Sequence, residues 1–186
     1  MTTVLYAHPY SGSFNHAILE EVVSVLKEQN RDHSVIDLYA DGFNPALEAA
    51  SLRLYSHGES ADPLVKKYIQ ALMDADRVIM IFPIWWGMMP AIVKGFFDKV
   101  MLTGTAYRYT DDGQLVPDKI NVPKTLIFTT SQSDTENFSQ FFGEYFKTHI
   151  LDAVGLLNAE WYNCDKTAHG PAENRDRFLS LVREKM

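Results

Sequence analysis

Cysteine is nearly missing from this chain: Cys164 is the only one in 186 residues. An internal disulfide and any multi-cysteine metal site are therefore excluded. Its place in a strand-like run reads as a reduced thiol in the core. Positive charge is scarce as well. Lys and Arg number 17 against 24 Asp and Glu, for a net charge of −7. With no Lys/Arg cluster, neither a nucleic-acid partner nor a polybasic membrane contact is expected. No apolar run approaches the roughly 18 residues that would span a bilayer. The opening MTTVLYAHPY has no basic segment leading into an apolar one. The expectation is a cytoplasmic chain without a signal peptide. Neither G-x-G-x-x-G nor the P-loop pattern ending in Gly-Lys-Ser/Thr occurs, which disfavours a dinucleotide fold of the Rossmann type and a nucleotide hydrolase. Ser, Cys and His fall in no recognisable triad order, and no side chain stands out as a nucleophile.

What is present is ordinary for a soluble globular protein: 46% hydrophobic and 22% charged residues, enough for one domain over residues 1–186. The stretch Arg77–Tyr109 organises the rest. Val78–Phe82 is an unbroken apolar run too short for a helix, the signature of a strand buried on both faces. A loop with two Trp follows, Pro83-Ile84-Trp85-Trp86-Gly87. Pro90 then suits the first turn of a helix. In that helix Ile92, Val93, Phe96, Phe97, Val100 and Met101 make one wide apolar stripe. Strand, loop and helix form half a turn of a doubly wound sheet, whose ligands bind beyond the C-terminal strand ends.

The same rhythm recurs along the chain. Thr3–Ala7 reads as a strand, followed by a helix to about Gln29 with Ile18, Val22, Val23 and Leu26 inward. Ser34–Tyr39 is the second strand. Short helical turns are expected around Leu47, Leu52, Leu54 and Tyr55, and a helix capped by Ser60 or Asp62 follows. Tyr107–Val116 resembles a hairpin around Asp112-Gly113. Thr125–Thr129 and Leu157–Cys164 are the last strands. They flank an aromatic helix at Phe138–Phe146, and Pro171–Lys185 closes the chain. The fold expected is α/β, a doubly wound five-stranded parallel sheet in order 2-1-3-4-5 with helices on both faces.

Three loops then fall at one sheet edge. After strand one, Ser11, Ser13 and Asn15 stand where a helix begins, fit either to bind phosphate or simply to cap that helix. After strand three, the paired Trp residues either close the core or make a flat wall for a planar ring, with Gly87 letting the backbone approach. After strand four comes a Thr/Ser loop, Thr130–Asp134. An anion site beside an aromatic wall suits a phosphorylated planar cofactor.

His8-Pro9, Ser13-Phe14-Asn15-His16-Ala17, Phe82–Gly87 and Pro90–Val100 together resemble the NAD(P)H:quinone oxidoreductases, a family of flavodoxin-like flavoproteins. The likeness to its small bacterial quinone reductases runs through nearly all the chain up to Thr130. It implies a flavin, FMN or alternatively FAD, with its phosphate at His8, Ser13, Phe14, Asn15 and Ala17 and its ring on Pro83, Ile84, Trp85, Trp86 and Gly87. Thr129, Thr130, Ser131 and Gln132 match the family's third flavin loop. N–H groups of Trp85, Trp86 and Gly87 are the expected donors to the ring. The chain departs from the pattern after Thr130, where larger relatives carry a glycine pair and then a Tyr and a His. It also lacks their long C-terminal extension, which tilts the cofactor towards FMN. The function implied is ping-pong hydride transfer from NADH or NADPH to a quinone-like acceptor, in a homodimer. The aromatic surplus of the helices at Pro90–Met101 and Phe138–Phe146 supports the homodimer, since one chain is expected to bury only one face of each. Two alternatives stay open: a flavodoxin-like electron carrier, and a flavin-sensing regulatory subunit docked peripherally on a membrane potassium-efflux transporter.

Overall fold

The computed structural model describes residues 1–186. Its centre is β1 (Thr2–Tyr6), buried along its whole length. This strand pairs in parallel with β2 (His33–Asp37) on one side and β3 (Arg77–Pro83) on the other. The short strands β4 (Tyr107–Tyr109) and β5 (Leu115–Pro117) form a separate antiparallel hairpin. Beyond β3 lie β6 (Thr125–Thr130) and β7 (Ala159–Cys164), giving the order β2-β1-β3-β6-β7. With the hairpin set aside, this is the expected 2-1-3-4-5 topology.

Side chains alternate between the faces, as the pleat requires. Val4, Tyr6, Ile79, Ile81, Leu126 and Phe128 pack under α1 (Phe14–Glu28) and the closing helix Ala172–Lys185. Leu5, Val78, Met80, Phe82 and Ile127 meet the opposite layer. That layer holds α3 (Pro63–Met73), α4 (Ala91–Val100) and the helix Ser139–Leu151. Asp62 is the cap of α3, its carboxylate accepting the Leu64 N–H at 3.0 Å. Around Leu52, α2 (Ala49–Tyr55) forms with no fully buried residue.

Some boundaries differ from expectation, for local reasons. β2 stops at Asp37 because its carboxylate accepts the N–H groups of Tyr39 and Ala40 and turns the chain. β7 begins only at Ala159, since Leu157 donates to Val122 instead. Val23 is half-buried, while Leu19 and Val25 take inner positions on α1. The aromatic helix is wound in the wider π form over Ser139–Leu151.

A larger difference concerns α4. Ile92, Val93, Phe96, Phe97, Val100 and Met101 are all buried within one chain, so this stripe is not the exposed face expected, and only Phe97 and Met101 reach a groove at its edge. The connection between β2 and α3 covers the stripe. Pro45 packs so closely on Gly95 that a Cβ there would come within 2.3 Å of it. Lys99, itself buried, donates to Asn44 O and to Asp62 Oδ2, both at 2.8 Å, and lies over the Phe43 ring. No helix is long and apolar enough to cross a membrane.

Candidate functional site

The C-terminal edge of the sheet gathers the three loops. In the first, Ser13 has extended backbone and caps α1, its hydroxyl oxygen accepting the His16 N–H at 3.2 Å. The N–H groups of Gly12, Phe14 and Asn15 find no acceptor within the chain. Asn15 is buried. Its Nδ2 donates to Thr130 Oγ1 at 2.8 Å, and its Oδ1 has no partner. The Tyr6 hydroxyl is also buried and unpaired, beside Ser13, and burial pushes its pKa up. Phe14 packs against Phe178 of the closing helix, and Ala17 lies within α1 with its N–H donated to Ser13 O. His8 holds the loop's other end: its Nδ1 accepts the Tyr10 N–H at 3.1 Å, and its ring meets Trp85 edge-on at 5.8 Å. Burial pushes the His8 imidazole below its ordinary pKa.

The aromatic loop is a tight turn. Trp85 donates to Met88 O at 2.9 Å and Met88 donates back to Trp85 O at 3.1 Å. The two central residues lie in the left-handed region, Trp86 at φ 53° and Gly87 at φ 78°. Such a pair suits Gly and strains Trp. Trp85's N–H is therefore occupied by the turn and is not one of the expected ring donors; those of Trp86 and Gly87 are free. Ile84 is buried and its N–H donates to Thr130 O at 2.7 Å, fastening this loop to the third. Trp85 and Met88 are largely exposed and Trp86 wholly so. Neither Trp closes the core, so of the two readings the exposed apolar wall is the one this geometry fits.

The third loop differs from what its residue types suggest. Thr129 is buried and donates to Asn163 Oδ1 at 2.9 Å while accepting the Trp161 Nε1–H at 2.8 Å. Thr130 accepts from Asn15, Ser131 donates to Ser133 O, and Gln132 accepts the Ala168 N–H. Their side chains serve the protein itself. The loop also leaves open three successive backbone N–H groups, those of Gln132, Ser133 and Asp134. Cys164, buried and with its pKa raised by that burial, is an unreactive thiol.

Sequence reasoning missed Tyr6 and Asn163. Tyr6 looks like one more core aromatic in an apolar strand, and only its buried, unpaired hydroxyl sets it apart. Asn163 sits in the last strand, with no motif around it. The assembled edge thus offers a helix N-terminus for an anion, one buried acceptor, and a row of free N–H groups around an exposed aromatic turn.

A family model described as flavodoxin-like fold matches residues 1–183. Among curated proteins, an uncharacterized NAD(P)H oxidoreductase of Haemophilus influenzae is 29% identical over 156 residues, covering 83% of this chain and 75% of that protein. An FMN-dependent NADH:quinone oxidoreductase of Clostridium acetobutylicum is 31% identical over 120 residues, covering 61% of this chain and 60% of that protein. Among solved structures, the NAD(P)H:quinone oxidoreductase of Methanothermobacter marburgensis has a TM-score of 0.83 at 25% identity, covering 98% of this chain and 95% of that one.

Proposed function

The chain belongs to the flavodoxin-like fold family, and from that membership we propose that it is an NAD(P)H:quinone oxidoreductase working with bound FMN. The observation that carries this reading is the tying of three loops at one sheet edge, by Asn15 to Thr130 and by Ile84 to Thr130, with the remaining donors left unpaired.

The residues fit FMN. The N–H groups of Gly12, Phe14 and Asn15, with the Ser13 hydroxyl, would hold the phosphate. The buried Tyr6 hydroxyl beside Ser13 is a further donor, and Asn15 Oδ1 is an acceptor suited to a sugar-chain hydroxyl. The N–H groups of Trp86, Gly87, Gln132 and Ser133 would meet polar atoms of the ring, with the Trp85–Trp86 turn as its apolar wall. Bound there, the flavin supplies the acceptor of hydride and the store of its electron pair. The relative named for FMN favours that form over FAD. Either NADH or NADPH serves as donor and a quinone-like molecule as acceptor.

Donor and acceptor are both flat, and hydride transfer requires about 3–3.5 Å between reacting atoms. The Trp85–Trp86 turn would cover one face or edge of the ring, leaving the opposite face as the one open platform for them. They must therefore take turns, which gives ping-pong kinetics. Residues 1–186 act as one domain in the cytoplasm, where the donor is supplied. A homodimer also belongs to this reading. Its support is an apolar groove of about 300 Å³ lined by Met89, Phe97, Met101, Phe146 and Ile150, flanked by exposed Leu47 and Leu52. The test of cofactor class is the visible absorbance of the purified protein and the mass of the flavin it releases. Flavin bands with the mass of FMN support the proposal, and a colourless protein that takes up no added flavin overturns it.

A further inference from the structure

The third loop lacks the glycines that would let its backbone bend freely, yet it is closely defined. Its shape comes from β7. Asn163 Nδ2 donates to Ser131 Oγ at 2.9 Å and to Thr135 Oγ1 at 3.0 Å, while its Oδ1 accepts from Thr129 at 2.9 Å. One side chain thus grips the loop at its root and at both ends of its exposed part. Ser131 Oγ passes the constraint on by donating to Ser133 O at 2.7 Å. Thr135 is held a second time by Asp165 Oδ2, which accepts its N–H at 3.4 Å and its hydroxyl at 3.3 Å. Between these anchors the N–H groups of Gln132, Ser133 and Asp134 have no acceptor in the chain, the first two on the stretch that Ser131 itself holds. Two successive free N–H groups on a rigid loop are a preorganised site for an acceptor atom.

We propose that Asn163 is the positioning residue of this loop, holding the N–H groups of Gln132 and Ser133 towards acceptor atoms of the bound cofactor. This rests on the flavin reading above and adds to it a residue outside every loop of the site. Asn163→Asp tests it. The replacement keeps the size and the acceptor for Thr129 but turns both donors to the loop into an acceptor. The readouts are FMN dissociation constant by fluorescence titration of the apoprotein, visible spectrum of the bound flavin, and melting temperature of the apoprotein. Losing both donated hydrogen bonds should weaken FMN binding about tenfold and shift the flavin spectrum, with the apoprotein melting within a few degrees of the parent. Equal affinity and an unchanged spectrum would overturn the proposal, as would a loss of affinity matched by collapse of the apoprotein while Thr135→Ala, which removes one arm of the grip, binds FMN like the parent. If Asn163→Asp does not fold, Thr135→Ala decides alone: weaker binding supports the proposal and parental binding overturns it. Parent protein that binds neither FMN nor FAD defeats the flavin reading, a result distinct from parent and variant binding alike.

Discussion

At the scale of single residues, the first loop separates two kinds of contribution that the sequence blends. Ser13 and Asn15 look alike there, as small polar groups before a helix. In the fold Ser13 caps α1, whereas Asn15 is buried against Thr130 with one atom unpaired. Ser13→Ala should therefore lower stability by about 1 kcal/mol through loss of the cap, besides weakening FMN through loss of a hydroxyl at the phosphate. Asn15→Ala should mainly weaken FMN, by on the order of 1.5–3 kcal/mol. Chemical denaturation and flavin titration on both variants check the split. Should both bind FMN as tightly as the parent, the loop only caps a helix. Gly87 gives a second case. Its φ is 78° and a Cβ would meet nothing within 4 Å, so Gly87→Val strains only the backbone. That cost is on the order of 1–2 kcal/mol. It falls in the turn that carries two free N–H groups, so turnover should drop much more than melting temperature, as steady-state rates beside a thermal melt would reveal.

At the scale of elements, much was legible because burial imposes patterns. The three central strands β1, β3 and β6 are short buried runs between turn residues, and the Asp62 cap and the Asp112-Gly113 hairpin turn follow local backbone chemistry. What could not be read was which groups are already paired. Trp85's N–H is taken by Met88, and Thr129 is taken by Asn163 and Trp161, through contacts set by turn geometry and strand register rather than residue type. The cover over α4 was hidden for a similar reason: Lys99 reads as a surface lysine, and only the fold places it under Asn44 and Asp62. Burial alone would raise the Asp62 carboxyl, but Lys99 and the Leu64 N–H hold it below its ordinary pKa. A lowered carboxylate pKa stabilises the fold above the unfolded value, near 4, and that stability is lost as pH falls through the folded one. Asp62→Asn keeps a capping side chain but leaves Lys99 without its counter-charge, at a cost on the order of 3 kcal/mol near neutral pH. Melting temperatures of parent and variant should converge as pH falls below about 4. A gap that stays constant with pH would mean the pair does not carry this stability.

At the scale of the whole molecule, the α4 stripe expected to need a second copy is buried within one chain, and only its Phe97 and Met101 edge the apolar groove offered to a second copy. In the proposed homodimer the groove beside Leu47 and Leu52 is the surface a second copy would cover. Light scattering at micromolar concentration should give twice the chain mass, and Leu52→Glu should shift it towards the monomer. A parent of monomeric mass removes the homodimer from the reading. In the proposed mechanism one open face of the flavin at the loops' shared edge serves two flat substrates in turn. Initial rates at several fixed quinone concentrations should give parallel double-reciprocal lines, and intersecting lines would mean that both bind together. The redox assignment itself is tested most directly without oxygen, by adding NADH or NADPH to the purified flavin-loaded protein and following its visible absorbance. The bands should bleach within the turnover time and return when a quinone is added; bands that stay unchanged with both nicotinamides would contradict the assignment of this chain as an NAD(P)H:quinone oxidoreductase.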